Sequence, residues 1–329
     1  MNKQMSMSFF TDELAHATTR KQVFLEQMDR LIPWAKWVAI IEPYYYKGER
    51  GNKPYPLDRM LRIYILQNLY NLADMAASYE IIDSRASAKF CEVTSSNQVP
   101  DGDTIGRFRH ILTENHLQEK IFEDLKASLE KEGLLLQKGT IVDSTLIAAP
   151  ISTKNKEKKR DEDAHQVIKG HNLQFGYKAH IGVDDESGLV HHVVVTAANV
   201  HDVTVTDQLL NGTETNVRGD SGYLGAEKRS EAKTINEAGE PIQYLINRRP
   251  SSISKLPEEE QAKARQEEHE KASIRAKVEH PFAIIKGLFG FKKTRYKGKA
   301  NQVGAVLIKF TLGNLLTASW RRKGLVCCA

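Results

Sequence analysis

The run GTIVDSTLI, residues 139–147, constrains this chain more than any other stretch. Its β-branched residues read as a strand. Yet Asp143 stands inside it, and aspartate is depleted in strand interiors. Either the strand stops there and Asp143 caps a turn, or the fold keeps a carboxylate on a sheet. The run also marks a change of period. Before it the chain reads as helices; after it, strands and helices mix. At 329 residues the chain has room for two domains. The change of period predicts a helical part over 1–135 and an α/β part over 136–325.

In the first part, PLDRMLRIYILQNLYNLADMAASYEII puts Leu57, Leu61, Tyr64, Ile65, Leu69 and Leu72 near one helical face. Pro100, Asp101 and Gly102 then break the chain, and Asp103 is expected to cap a new helix over 103–116. That helix buries Ile105, Phe108, Ile111 and Leu112 and turns Arg107 outward. Short helices joined by tight turns, the last with an exposed arginine, fit a helix-turn-helix-like DNA reader. The same pattern also describes small helical bundles that bind nothing.

In the second part, FGYKAHIGVDDESGLVHHVVVTAAN predicts two strands around the turn Asp185-Glu186-Ser187-Gly188. VTDQLL reads as a short helix, TNVRGDSGY as a strand ending in a glycine turn, and PIQYLINRR as a further strand. The charged stretch KNKEKKRDEDAH reads as a solvated loop. LPEEEQAKARQEEHEKASIRAKVEH reads as a helix running into SIRAKVEHPFAIIKGLFGF, where Ile274, Val278, Phe282, Ile285 and Phe289 form a buried stripe. The element order is that of a mixed α/β layer domain.

Three carboxylates stand out. Asp143 is embedded in a strand, Asp220 follows a strand in GDSG, and Glu279 lies beside the apolar stripe of a helix. Each has an ordinary explanation: a turn cap, a common D-S-G turn, a solvent-facing glutamate. Together they can converge at one end of a sheet. Packed carboxylates repel and shift toward protonation, and divalent cations remove that cost. Mg²⁺ favours hard oxygen ligands and bridges carboxylates to phosphates. Two such ions can drive an in-line displacement at phosphorus. On a straight helix Arg275 lies about 40° and Lys286 about 20° from Glu279, on one stripe that suits gripping phosphates. A plain Arg–Glu pair is the simpler alternative. Pro281 predicts a kink near 277–281, which would aim Glu279 separately from the docked half of the helix.

Charge is uneven. After Glu279 the chain has no Asp or Glu but ten Lys and Arg, among them Lys292, Lys293, Arg295 and Lys297. Such one-sided charge points to a polyanion, nucleic acid first. Three cysteines, Cys91, Cys327 and Cys328, give neither a disulfide framework nor a zinc spacing. The polar start of the chain does not read as a signal peptide. No uninterrupted apolar run approaches the ~20 residues that span a bilayer. No membrane association and a cytoplasmic location follow as expectations.

With these motifs in place, the chain resembles the DDE transposases of bacterial insertion sequences, in particular the IS-five group. YPLDRMLRIYILQNLYNLAD and VPDGDTIGRFR resemble that family's N-terminal domain. STKNKEKKRDEDAHQ, FGYKAHIGVDDESGLVH, TAANVHDV, GDSGYLG and RAKVEHPFAIIKGLFGFKKTRYKG resemble its catalytic domain, in the right order. The resemblance implies an α/β, ribonuclease-H-like mixed sheet flanked by helices and preceded by an all-α DNA-binding domain. It implies a catalytic and metal-binding triad of Asp143, Asp220 and Glu279 holding two Mg²⁺ or Mn²⁺ ions. It also implies a Y-x2-R-x3-E-x6-K signature, which Arg275, Glu279 and Lys286 match; Ala272 stands at the tyrosine position. The partners implied are terminal inverted repeats, target DNA and a second copy in a synaptic homodimer, in a nucleoid-associated protein.

Other readings compete. A ribonuclease-H-like nuclease would share the triad and leave nicks without joining ends. A DNA-binding regulator without chemistry would explain the basic tail and not Asp143. GDSG hints at a serine nucleophile, which needs a positioned His and acid that no second motif supplies. His180, His191, His192 and His201 are candidate metal ligands, and their strand and turn positions favour structural roles.

Overall fold

The computed structural model describes residues 18–48, 53–154, 158–170 and 172–324; Cys327, Cys328 and the start of the chain lie outside them. The chain divides into two compact units. The first takes residues up to 66 together with 74–108; the second takes 67–73 and 109 onward.

The first unit is helical. Helices α1 (Arg20–Leu31) and α2 (Trp34–Ile41) lead to α3 (Leu57–Leu69), whose last turn belongs to the second unit. Then follow α4 (Asp74–Asp83), α5 (Arg85–Phe90) and α6 (Gly102–Glu114). The long periodic stretch expected from Leu57 is therefore two helices. They separate at Asn71, whose φ of 48° is left-handed, a conformation asparagine tolerates. Helix α3 is buried nearly all round: Met60, Leu61, Ile63, Tyr64, Ile65 and Leu66 are within 2 % of full burial. Helix α6 buries Ile105, Phe108 and Leu112 and exposes Arg107, as expected; Ile111 is half-buried. Its cap differs from the expectation. The helix starts at Gly102, so Asp101 is the cap, its Oδ1 accepting from the Thr104 N–H at 2.7 Å. Asp103 sits in the first turn, where its charge favours the helix dipole.

The second unit holds α7 (Leu117–Lys131) and a six-stranded mixed sheet: β1 (Gly139–Ala148), β2 (His165–Lys169), β3 (Asn172–Asp184), β4 (Val190–Ala197), β5 (Asn216–Gly219) and β6 (Gln243–Ile246). The strand order is β2-β3-β1-β5-β6, with β4 also pairing β3. β1 is antiparallel to β3 and parallel to β5, and β5 is parallel to β6. A mixed sheet of this kind, flanked by helices, is the class the resemblance implied. Helices α8 (Pro250–Ile253), α9 (Glu258–Arg275), α10 (Glu279–Ala283) and α11 (Lys299–Arg322) complete it. Helix α7, which the change of period assigns to the N-terminal part, packs instead against α11 in the second unit, through a face that buries Leu117, Ile121, Phe122, Leu125 and Leu129. Beneath the ends of β1 and β5, Val142, Leu209, Leu210, Val217, Tyr223, Ile242 and Ile246 form a core cluster.

Two expectations change here. The described end of the charge-dense stretch is built into the fold: it leads into β2, which pairs with β3, and Asp161 and Asp163 cap the start of α11 by accepting from the Gly298 and Lys299 N–H groups at 3.0 and 2.8 Å. Tyr177 also donates to Asp161, at 2.7 Å. The basic tail is not one surface. Helix α11 is long and apolar enough to cross a membrane, but it is the buried core helix of this unit. Its Lys309 is buried, donates to Asn68 Oδ1 at 2.7 Å and lies 4.6 Å from the centre of the Phe291 ring. Burial pushes that amine down to about 7.

Candidate active site

Asp143 lies within β1, so the strand does not stop at the aspartate. The parallel register pairs Thr140 with Val217 and Ile141 with Arg218. Carried two positions further, it sets Asp143 beside Asp220, the first residue after β5. Both aspartates are anchored by backbone donors. Asp143 Oδ1 accepts from the Ser144 N–H at 2.7 Å. Asp220 caps the 3₁₀ turn Ser221–Tyr223 and accepts from the Gly222 N–H at 2.9 Å. A Cβ on Gly222 would come within 2.9 Å of that same oxygen, so the turn admits only glycine without displacing the carboxylate.

Glu279 comes from a segment that is not a straight helix. Helix α9 ends at Arg275, a 3₁₀ turn covers Ala276–Val278, α10 starts at Glu279, and a π turn follows over Ile284–Leu288. Val278, Phe282, Ile285 and Phe289 are buried as the stripe predicts; Ile274 is half-buried. The break lies before Pro281, at 276–278. Pro281 sits in the first turn of a fresh helix and so breaks no interior ladder. The angles reckoned for a straight helix therefore do not apply. Arg275 pairs with Asp143, its Nη1 3.5 Å from Oδ2. Lys286 sits half-buried in the π turn and Ala272 half-buried on α9.

The electrostatics gather these groups around Asp143. Burial pushes its carboxyl up to about 6. The Ser144 N–H pulls it down, the Asp220 charge raises it, Arg275 lowers it and Glu279 raises it. Tyr223, buried below, is pushed well up by burial and then by the charges of Asp143, Asp202 and Asp220. Asp202 is a fourth carboxylate, one that no sequence signal singles out although it stands in the motif TAANVHDV. Lys178 pairs with it at 2.9 Å, and His180 Nδ1 lies 3.6 Å away.

Among the described residues, no three acid, histidine or cysteine side chains stand close enough to form a ready-made metal site. The donor chemistry nevertheless fits a divalent cation. The three groups are hard carboxylate oxygens, and Asp220 and Glu279 both hold Asp143 toward protonation, the strain that a bound cation relieves. Two of the four candidate histidines take structural roles: His180 bonds Thr196 at 2.8 Å and His191 bonds Thr140 at 3.2 Å, both fully buried. Among the described residues no histidine is hydrogen-bonded to Ser221; the GDSG aspartate instead caps the turn that follows it.

Lys292, Lys293, Arg295 and Lys297 lie exposed on the loop between the π turn and α11. That loop runs against the end of β1: Ala148 donates to the Lys292 carbonyl at 3.1 Å and accepts from the Thr294 N–H at 2.8 Å. Asn71 clamps it through the Gly290 and Lys293 carbonyls, and Arg295 donates back to the Asn71 carbonyl. Arg321 and Arg322 instead bond the Glu186 carbonyl and the Glu132 carboxylate. Arg107 belongs to the first unit, whereas the sheet and the three carboxylates belong to the second.

Two family matches cover separate stretches of the chain. Residues 135–315 match the family described as Transposase DDE domain, and residues 12–111 match that described as Transposase domain (DUF772). Among solved structures, the piggyBac transposase synaptic complex with hairpin DNA is similar at a TM-score of 0.45 and 8 % identity, covering 96 % of this chain and 78 % of that one.

Proposed function

The chain belongs to the DDE transposases, DNA-cleaving and strand-transferring enzymes that use divalent metal ions, and from that premise we propose that Asp143, Asp220 and Glu279 are its catalytic carboxylates. The observation that carries the proposal is the state of Asp143: a carboxyl inside a strand, largely buried, raised by the charges of Asp220 and Glu279 and touched by Arg275. Even with Arg275 beside it, this carboxyl is held toward protonation by burial and by two further acids, a cost that supports a site with a task.

Each residue has a part. Asp143 and Asp220 present their carboxylates from neighbouring parallel strands, with the Ser144 and Gly222 N–H groups fixing their orientation. Glu279, whose charge acts on Asp143, is supplied from the start of α10. Two Mg²⁺ or Mn²⁺ ions, when bound by these three carboxylates, supply charge stabilisation for in-line displacement at phosphorus. Arg275 steadies Asp143 and, with Lys286, offers cations to the DNA backbone. Lys292, Lys293, Arg295 and Lys297 extend that grip along the strand. Arg107 on α6 contacts end DNA, with the helical part from 1 to 135 carrying terminal-repeat recognition and 136–325 the chemistry. The IS-five motifs support terminal inverted repeats and target DNA as the partners, a homodimer in the synaptic complex, and a cytoplasmic, nucleoid-associated protein.

The test is to replace Asp143, Asp220 and Glu279 singly by alanine and to measure cleavage and end binding together. Cleavage is lost by more than ~100-fold, beyond what outer-shell partners of a metal contribute, while binding persists. A variant that cuts at the normal rate removes its residue from the site.

A further inference from the structure

We propose that the pocket beyond β6 is a phosphodiester subsite that holds the DNA strand as it leaves the catalytic carboxylates. The proposal rests on the reading of Asp143 and Asp220 as the catalytic site. β5 and β6 run parallel with Gly219 opposite Ile246, and the Asn247 N–H donates to the Gly219 carbonyl at 3.0 Å. The two strands therefore leave the sheet together, one into Asp220 and the other into Arg248 and Arg249. A cavity of about 300 Å³ opens there, lined by Leu224, Arg248, Arg249, Ser251, Ser252 and Lys255. Leu224 is only four residues from Asp220, at most ~14 Å of extended chain.

The lining contains three cations, two hydroxyls and no acid. The adjoining hollow beyond Arg248 mixes signs, with Glu260, Lys263 and Glu267 in its wall, as an ordinary solvated surface does. Among the described residues no carboxylate pairs with Arg248, Arg249 or Lys255. The nearby Glu268 is committed elsewhere: it accepts from the Asn247 side chain and the Arg248 N–H, both at 2.8 Å, and pairs with Lys271 at 2.9 Å. It thus braces the loop that presents the arginines without neutralising them. Cations held unpaired on a braced loop are arranged for an anion. Leu224, 44 % exposed in the same wall, gives the site an apolar side suited to a deoxyribose. An open cavity with spread cations and one apolar wall fits a strand of phosphodiesters better than a free anion, which calls for converging donors.

The experiment uses the full chain with Arg248→Gln, Arg249→Gln and Lys255→Gln combined, and a fluorescent duplex of arbitrary sequence followed by anisotropy over a salt series. The expected result is a log–log salt slope shallower by roughly 0.9 for each phosphate no longer neutralised, up to roughly 2.7. A control replaces the exposed Lys120, Lys131 and Lys138 by glutamine and keeps the wild-type slope. An unchanged slope in the pocket variant, or an equal change in the control, overturns the proposal. So does an unchanged slope combined with inorganic phosphate raising the melting temperature of the wild type but not of the pocket variant, which would make the pocket a free-anion site. Asp143→Ala keeps the wild-type slope in this assay. Failure of the carboxylates to support cleavage and failure of the pocket are thereby read separately.

Discussion

The two aspartates and the glutamate of the proposed site are held in opposite ways. Asp143 and Asp220 stand on neighbouring parallel strands over a packed core, each with a backbone N–H on one oxygen. Glu279 is exposed, on a segment that passes through α, 3₁₀, α and π geometry within about thirty residues of chain. A strand cannot move its backbone without breaking ladder hydrogen bonds, whereas a helix of mixed winding can turn by small changes along its length. On the proposed reading, the sheet presets two ligands, and the third is carried by the part of the molecule with the less regular winding.

Conservative swaps separate the two cases most sharply. Asp143→Glu pushes the carboxylate outward by one methylene on a strand that cannot retreat, and a displacement of ~1 Å costs about 100-fold in rate. Glu279→Asp withdraws its carboxylate by the same length on the adjustable segment, with an expected loss nearer 10-fold. Cleavage of pre-nicked end DNA measures both. Equal losses would mean that the helix is as rigid as the sheet.

The titration of Asp143 tests the sheet side alone. Its carboxyl is raised from 3.8 to about 6 in the folded chain. The folded state then binds more protons than the unfolded state between those values. Metal-free stability is therefore full below about 4, falls as pH rises to about 6, and is flat above, by at most roughly 3 kcal/mol. Asp143→Asn removes this slope in a series of melting curves. Arg275→Ala acts on the same group in the opposite sense. Without the guanidinium the Asp143 carboxyl rises further, so cleavage falls several-fold near neutral pH and recovers in alkali. A pH-independent loss would assign Arg275 to DNA binding alone. Gly222→Ala, whose Cβ would meet Asp220 Oδ1 at 2.9 Å, lowers cleavage several-fold with little change in melting temperature. A larger stability loss than rate loss would show the turn, and not the carboxylate, absorbing the clash.

These contrasts also explain what could be read from the chain. Strand period and β-branching exposed β1, β3, β4, β5 and β6, and an aspartate inside such a run drew attention to Asp143. The motif order then drew Asp220 and Glu279 together. Strand β2 was hidden because it is short, follows a charge-dense run and leaves even Ile168 exposed at the sheet edge, so no alternation of buried and polar residues marks it. The winding of 276–288 was hidden because side-chain period reports which face is buried and not how many residues fill each turn. Lys309 shows the same limit for charge: counting cations cannot tell a buried amine on Asn68 from a surface one. Arg248 and Arg249 had a faint signal, two arginines directly after a strand, which gains meaning only once β6 is set beside β5.

Pro281 gives the finest test of the comparison. A proline inside a continuous helix costs ~3 kcal/mol against alanine, and its replacement would raise the melting temperature. Here the winding has already changed at Ala276–Val278, where the Glu279 N–H turns back to the Ala276 carbonyl. Pro281 is the third residue of the helix that follows, and the hydrogen bond it lacks is one that a first turn does without. Its ring is also buried. Pro281→Ala then frees the unfolded chain and gives up ring packing, so stability falls by about 0.4–1 kcal/mol, while Mg²⁺-dependent cleavage stays within twofold of wild type. The sign of the melting shift decides. A rise would show that α9 and α10 act as one helix strained by the proline, and Glu279 would then be aimed by a kink at Pro281. A fall with unchanged cleavage places the adjustment at 276–278, in the turn just before the glutamate.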